Sequence, residues 1–397
     1  MKIKLCVLFG GRSVEHEVSI ITALQAINKI DKAKYDIIPV YIDKSGKWYT
    51  GQMLLDMEIY KDLDLLKRYA KEVVLYNRDD KFVLQNKKGL FKTIVDYVDL
   101  AFPIMHGTNG EDGTLQGYLE TIGIPYCESN VYASALGQDK ILQKQVLKEN
   151  NVNVVKYRWF YDSEYLNEPD KIISSIDKVL DYPMIIKPAT LGSSVGISVA
   201  HDELELREYI MDAIEYDNKI LVEEVVDNLR ELNISVLGNS ERQELSVIEE
   251  VGSKHELLTY EDKYIGGKKG KLGGLSSKGM ASAKRLIPAD IDEKIENKVK
   301  DQALKTFRAL NSSGVVRIDF LYDSKNEEVY VNEINNIPGS LSFYLWEKTG
   351  KEYPELLDDI INLGIINYKN KTKKTTTFKS NILEGFNGFK GMKGLKK

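Results

Sequence analysis

Residues 315–339, VVRIDFLYDSKNEEVYVNEINNIPG, decide the fold. Residues 315–322 and 328–335 are rich in β-branched and aromatic side chains. Asp323, Ser324, Lys325 and Asn326 between them are turn residues, so the stretch predicts a hairpin. Centring the turn near Asn326 sets Asp319 opposite Glu333 and Arg317 opposite Asn335. Successive side chains on a strand alternate faces, so all four polar groups fall on one face. Ile318, Phe320, Asn332 and Ile334 fall on the other, mostly apolar as a core side would be. Two carboxylates and an amide are the oxygen donors that a hard divalent cation prefers, and such an ion keeps substrate phosphates in its shell. The planar Arg317 guanidinium suits the remaining phosphate charge. Taken alone, the patch also fits a solvent-facing strand pair with cross-strand charge partners.

The chain around this hairpin has 397 residues, enough for several structural units. Its 43% hydrophobic and 29% charged content is that of a soluble globular protein, and a net charge of −5 gives no reason to expect a nucleic-acid partner. Cys6 and Cys127 have no metal-ligand spacing, and so sparse a pair suits buried thiols in a reducing compartment. No run of about 18 apolar residues occurs, so no membrane span is expected. The opening MKIKLCVLFGGRS is a poor signal peptide, which points to the cytoplasm.

Upstream, residues 4–9 form an apolar strand that runs through Gly10 and Gly11 into a helix carrying Val18, Ile21, Leu24 and Ile27, the opening of an α/β unit. Residues 35–42 and 47–49 predict further strands, 56–80 a helix plus loop, and 81–97 strands around a Lys-Lys-Gly turn. A strand at 100–107 ends in His106 before the loop TNGEDG. Residues 134–149 read as a helix containing Lys140, 154–161 as a strand and 170–180 as a helix. Lys187 ends the strand YPMIIKP ahead of ATLGSSVG, a Gly/Ser loop able to offer N–H and hydroxyl donors to an anion, though a plain hairpin turn fits it as well. Strands at 219–226, 231–237 and 244–250 precede a Gly/Lys-rich stretch at 263–278 without apolar period. An amphipathic helix at 288–310 and a closing helix at 353–366 flank the hairpin. From Lys369 onward there are nine lysines and one glutamate, the composition of a flexible basic tail spanning residues 367–397.

FGGRSVEHEVS at 9–19, FPIMHGTNGEDG at 102–113, KPATLGSSVG at 187–196, YEDKY at 260–264, VRIDF at 316–320 and NEINNIPG at 332–339 stand in this order. Together they resemble the D-alanine–D-alanine ligases of the ATP-grasp superfamily over residues 1–366. The resemblance implies an N-terminal α/β substrate domain at 1–134, followed by two α+β lobes at 135–222 and 223–366 that clasp ATP. It implies a step of peptidoglycan precursor synthesis. ATP phosphorylates the carboxylate of one D-alanine, and the amine of a second D-amino acid attacks the acyl phosphate. Asp319, Glu333 and Asn335 match the ligands of two magnesium ions, with manganese as the alternative ion. Arg317 and the Gly339 N–H match the oxyanion donors. Lys140 and Lys187 match phosphate contacts, Ser194 a further ATP contact, Glu223 and the backbone near Val226 adenine contacts, and Glu231 the ribose contact. Glu15 matches the carboxylate that holds the first substrate's ammonium, with Ser193 and Tyr264 hydrogen-bonded to it. Lys263 matches the residue that reaches the transferred phosphate, and His106 a substrate-pocket histidine. Tyr264 favours an amine acceptor over a hydroxy acid. The family commonly forms homodimers.

One departure stands out. After Gly339 the family carries a longer Thr/Ser-rich loop whose Ser-Leu pair binds the acceptor carboxylate. Here SLSFYLW at 340–346 runs straight toward the closing helix, leaving Ser340 and Ser342 as alternative donors. The expected acceptor is therefore D-alanine, with a different amine, for example another D-amino acid, as the alternative, and a non-catalytic nucleotide-binding paralogue is the remaining one.

Overall fold

A computed structural model describes residues 2–88, 92–192, 196–252 and 285–376. Ser193, Ser194, Lys263 and Tyr264 lie outside the described residues, as do the Gly/Lys-rich stretch and the tail from 377. Among the described residues, sixteen strands form three sheets.

The first sheet holds β1 (Ile3–Gly10), β2 (Tyr35–Ile42), β3 (Trp48–Thr50), β4 (Lys71–Arg78), β5 (Lys81–Asn86), β6 (Ile94–Val98) and β7 (Leu100–Pro103), in the order β6-β5-β4-β3-β2-β1-β7. β1 lies parallel to both neighbours and is covered on both faces, which is why it reads as an unbroken apolar run. Leu5, Val7 and Phe9 enter one core with the helix His16–Lys29, while Cys6 and Leu8 enter another. Both cysteines are buried and free. Residues 56–80 are not merely a helix plus loop: the helix Leu63–Tyr69 leads into β4. Its buried Val73 and Leu75 give the alternation, masked by charged neighbours such as Glu72, which Lys87 and Lys88 neutralise at 3.3 and 3.1 Å.

The second sheet is antiparallel, β10-β9-β11-β8, from β8 (Tyr157–Tyr161), β9 (Met184–Pro188), β10 (Ser198–Ala200) and β11 (Lys219–Glu224). The third is β14-β13-β12-β15-β16, from β12 (Leu229–Gly238), β13 (Gln243–Val251), β14 (Arg285–Leu286), β15 (Gly314–Asp323) and β16 (Glu328–Asn335). One face of this sheet packs Leu232, Ile234, Val236, Ile318 and Phe320 against Ile295, Val299, Ala303 and Phe307 of the helix Glu293–Ala309. That helix starts later than its sequence suggests, because the Asp292 carboxylate caps it by accepting from Ile295 N at 2.9 Å.

The expected helix at 134–149 is two helices, Val131–Gln138 and Lys140–Glu149, broken at Asp139. Asp139 is extended and accepts from Ile141 and Leu142 N at 3.0 Å, which sets Lys140 at the first turn of the second helix. The closing helix runs Tyr353–Thr372, past the expected end. Its Leu356, Leu357, Ile360 and Ile361 share one core with the first sheet and with Leu237, Val315, Ile337 and Trp346 of the C-terminal part. Among the described residues no helix is long and apolar enough to cross a membrane.

Candidate active site

β15 and β16 pair in the expected register, Asp319 with Glu333 and Arg317 with Asn335. The Arg317 guanidinium forms a two-pronged pair with Asp319, 2.6 Å from Nε and 2.7 Å from the second nitrogen, and Asn335 Nδ2 donates to Asp319 Oδ2 at 3.1 Å. Burial works against the Arg317 charge, but the Asp319 carboxylate outweighs it and raises the guanidinium's pKa.

The face assignment of Asn332 needs correction. A β-bulge falls between the Asp319 and Phe320 pairings, after which Phe320 opposes Val331 and Tyr322 opposes Val329. One extra residue shifts the alternation, so Val331 and Val329 fill the core. Asn332 turns toward the second sheet, its Oδ1 3.4 Å from Lys187 Nζ. Strict alternation cannot register a bulge, and the sequence carries no glycine there to signal one.

Two lysines meet this platform. Lys140 Nζ donates to Leu191 O at 2.6 Å and lies 3.5 Å from Glu333. Lys187 Nζ lies 2.5 Å from Glu223, whose other oxygen is 2.6 Å from Lys144 Nζ. Burial alone would raise the Glu223 carboxyl, but the two lysines more than offset it and hold its pKa at about 2. Burial lowers the Lys144 pKa despite that pairing. Glu223, expected at adenine, thus sits between two ammoniums. Val226 lies in the connection from β11 to β12, and Glu231 is in β12, paired to Val251 and Leu321.

The loops of the first sheet close the site from the other side. Glu15 lies against Gly107 and Gly192, since a Cβ on either would come within 2.6 and 3.3 Å of its Oε2. Gly107, at φ +69°, is held to glycine by both the backbone and that carboxylate. His106 is buried, with Nε2 2.9 Å from Thr22 Oγ1 and a further bond to the Ile337 backbone. Burial lowers its pKa to about 4, so the ring is neutral. Glu111, in the quoted TNGEDG loop but not singled out, accepts from Gly107 N at 2.7 Å and Ile337 N at 2.9 Å. Burial, then the charge of Glu15, raises its pKa to about 8.

The segment after Gly339 has an unusual backbone. Ser340, Leu341 and Ser342 all sit in the left-handed region, at φ 53°, 51° and 51°. Each costs roughly 1–2 kcal/mol for a residue with a Cβ. Tertiary bonds hold them: Ser340 N donates to Thr22 Oγ1 at 3.1 Å, Ser340 Oγ to Gln25 Oε1 at 2.8 Å, and Trp346 Nε1 to Ser235 Oγ at 2.9 Å. Ser340 is therefore committed to the helix His16–Lys29. Among the described residues, Ser342 Oγ, Tyr344 Oη and Arg285 Nε are buried without hydrogen-bond partners. The Arg285 guanidinium lies 5.1 Å over the Tyr344 ring, and Tyr344 is close enough to Arg317 to feel its charge. Burial raises the Tyr344 pKa to about 12, keeping its hydroxyl a donor.

Lys140 from a helix and Lys187 from the second sheet meet Glu333 and Asn332 of the third sheet, and the fold is that of the ATP-grasp ligases. Family-level matches narrow the class: the family described as "D-ala D-ala ligase N-terminus" matches residues 4–129 and "D-ala D-ala ligase C-terminus" matches residues 146–362. The D-alanine–D-alanine ligase of Thermosipho melanesiensis is 42% identical over 95% of this chain and 97% of its own length. That of Clostridium acetobutylicum is 38% identical over 92% and 98%. Among solved structures, the VanG D-Ala:D-Ser ligase from Enterococcus faecalis superposes with a TM-score of 0.76 at 31% identity, covering 92% of this chain and all of that one. The D-alanine–D-alanine ligase from Coxiella burnetii gives 0.74 at 28%, covering 94% and 96%. The chain belongs to the D-alanine–D-alanine ligase family.

Proposed function

We propose that this chain joins two D-alanines, with ATP converted to ADP and phosphate, as a step in building peptidoglycan precursors. The observation that carries the reading is that Lys140 reaches Glu333 and Lys187 reaches Asn332, which brings two ammoniums to the strand pair that carries Arg317, Asp319, Glu333 and Asn335. The N-terminal α/β unit at 1–134 would supply the amino-acid pocket, and the lobes at 135–222 and 223–366 the nucleotide cleft.

Glu15, beside Gly107 and Gly192, would hold the first D-alanine by its ammonium. Lys140 and Lys187 would draw the triphosphate toward the carboxylate of that D-alanine, whose oxygen takes the γ-phosphoryl group as ADP leaves, since phosphoryl transfer needs positioning and charge neutralisation more than covalent help. The amine of the second D-alanine then attacks the acyl phosphate, and phosphate leaves as the amide forms. Arg317 and the Gly339 N–H would stabilise the oxyanion of the tetrahedral intermediate. The residues fit a divalent cation: Asp319 and Glu333 are adjacent across the ladder, and Asn335 turns its N–H to Asp319, leaving its oxygen as the acceptor. Among the described residues no three His, Cys, Asp or Glu gather as a metal site, so the third oxygen would be that amide. Magnesium held there would shield the charge shared between neighbouring phosphates.

A second reading, with another D-amino acid as acceptor, draws on the unpartnered hydroxyls of Ser342 and Tyr344 and on a structural relative that is a D-Ala:D-Ser ligase. One assay separates the two. Phosphate release from Mg-ATP is followed with D-alanine alone, then with D-alanine plus a panel of D-amino acids, and products are identified by mass spectrometry. D-alanyl-D-alanine from D-alanine alone is expected. Turnover only with a different amine overturns the first reading, and ATP binding without any turnover overturns both.

A further inference from the structure

Lys144 has no role in the chemistry set out above. It follows Lys140 by one helical turn, so both ammoniums leave the helix Lys140–Glu149 on one side. Its side chain and that of Glu223 are each 1% exposed, and that of Lys187 is 8%. Two ammoniums sharing one carboxylate leave this buried trio with one surplus positive charge. Asn332, 3.4 Å from Lys187, offers a dipole but no charge, and Glu333 is engaged by Lys140. Desolvated charge is strongly unfavourable unless an opposite charge meets it. The exposed end of the trio is Lys187, so the missing anion belongs there. Without Lys144, Glu223 and Lys187 would form a closed neutral pair, and Lys187 would have little attraction left for a ligand.

We propose that Lys144 is a positioning residue for the nucleotide: it occupies one oxygen of Glu223, so that Lys187 faces the polyphosphate with a net positive charge. The inference rests on the reading that Lys187 meets ATP phosphates. It predicts that the charge of the buried trio, rather than the packing of the Lys144 side chain, sets phosphate affinity.

The test measures binding of inorganic triphosphate with magnesium by calorimetry, because that probe has no base to contact Glu223, together with KM for ATP and for D-alanine. Lys144→Met should weaken triphosphate binding and raise the ATP KM by about tenfold, as removal of one nearby charge would. The D-alanine KM should stay within about twofold. Lys144→Arg, which keeps the charge, should bind triphosphate within about threefold of the unmodified chain. The double variant Lys144→Met with Glu223→Gln returns the trio to one positive charge and should recover most of the lost affinity. The inference is overturned if Lys144→Met changes thermal stability but not phosphate affinity, or if the double variant binds no better than Lys144→Met. Should Lys144→Met not fold, Glu223→Gln must bind triphosphate more tightly than the double variant, and equal binding overturns the inference. If the unmodified chain binds neither triphosphate nor ATP, the ligase reading itself falls.

Discussion

Along β15 and β16 the charged groups answer one another: Arg317 clasps Asp319, Asn335 donates to the same carboxylate, and Lys140 reaches Glu333. Just after Gly339, Ser342 and Tyr344 do the opposite. Among the described residues their buried hydroxyls have no hydrogen-bond partner, and the backbone at 340–342 is held in the left-handed region. The contrast follows from what each wall meets. A platform for a highly charged ligand must survive without it, and an unpaired buried charge costs several kcal/mol. An unpaired buried hydroxyl costs only about 1–3 kcal/mol, so a pocket for a small zwitterion can leave one waiting.

The contrast can be broken at three points. The largest effect is expected on the platform. Glu333→Gln removes a carboxylate proposed to hold the metal and should lower kcat by about three orders of magnitude, roughly 4 kcal/mol, while circular dichroism shows an intact fold. Near-normal turnover would remove the metal role from this strand pair. On the other wall, Tyr344→Phe should raise KM for the second D-alanine by about tenfold, the effect of one hydrogen bond to a charged group, with KM for ATP unchanged. If both KM values move together, Tyr344 supports the platform instead of the acceptor.

The smallest effect concerns Glu111, which ties the loop after β7 to the segment after β16 by accepting from Gly107 and Ile337 N. Its folded pKa is about 8, against 4.5 for the free group. The folded chain therefore holds a proton that the unfolded chain releases. This contribution to stability is complete below pH 4.5 and is lost as pH rises through 8. Glu111→Gln cannot release that proton. Its Tm relative to the unmodified chain should rise between pH 5 and 8, by a slope on the order of 1 kcal/mol per pH unit at most. A difference that stays flat across this window would mean that Glu111 titrates normally.

Much of the platform was legible because it rests on local rules. Strand alternation and one turn placed Arg317, Asp319, Glu333 and Asn335 together, and a glycine-bearing motif flagged Glu15 and His106. Where the chain misled, a local rule was overridden. The bulge moved Asn332 to the other face, Asp139 split a helix that apolar spacing ran together, and charged neighbours hid the alternation of β4. Lys144 carried a usable signal, the i, i+4 spacing from Lys140. Tyr344 carried none, because an aromatic beside a Trp reads as core.

The sequence by itself determined the hairpin that carries Arg317, Asp319, Glu333 and Asn335 on one face, because periodicity and turn chemistry act between near neighbours, and its ordered motifs pointed to the ligase family. The tertiary structure alone decided what those groups touch. Glu111 finds Ile337 across 226 positions, and Ser340 finds Thr22 across 318. Lys144, Glu223 and Lys187 come from a helix and two strands that no pattern within one element could bring together. Burial then set which of these charges survive and which hydroxyls wait for a ligand, and burial belongs to the packed molecule.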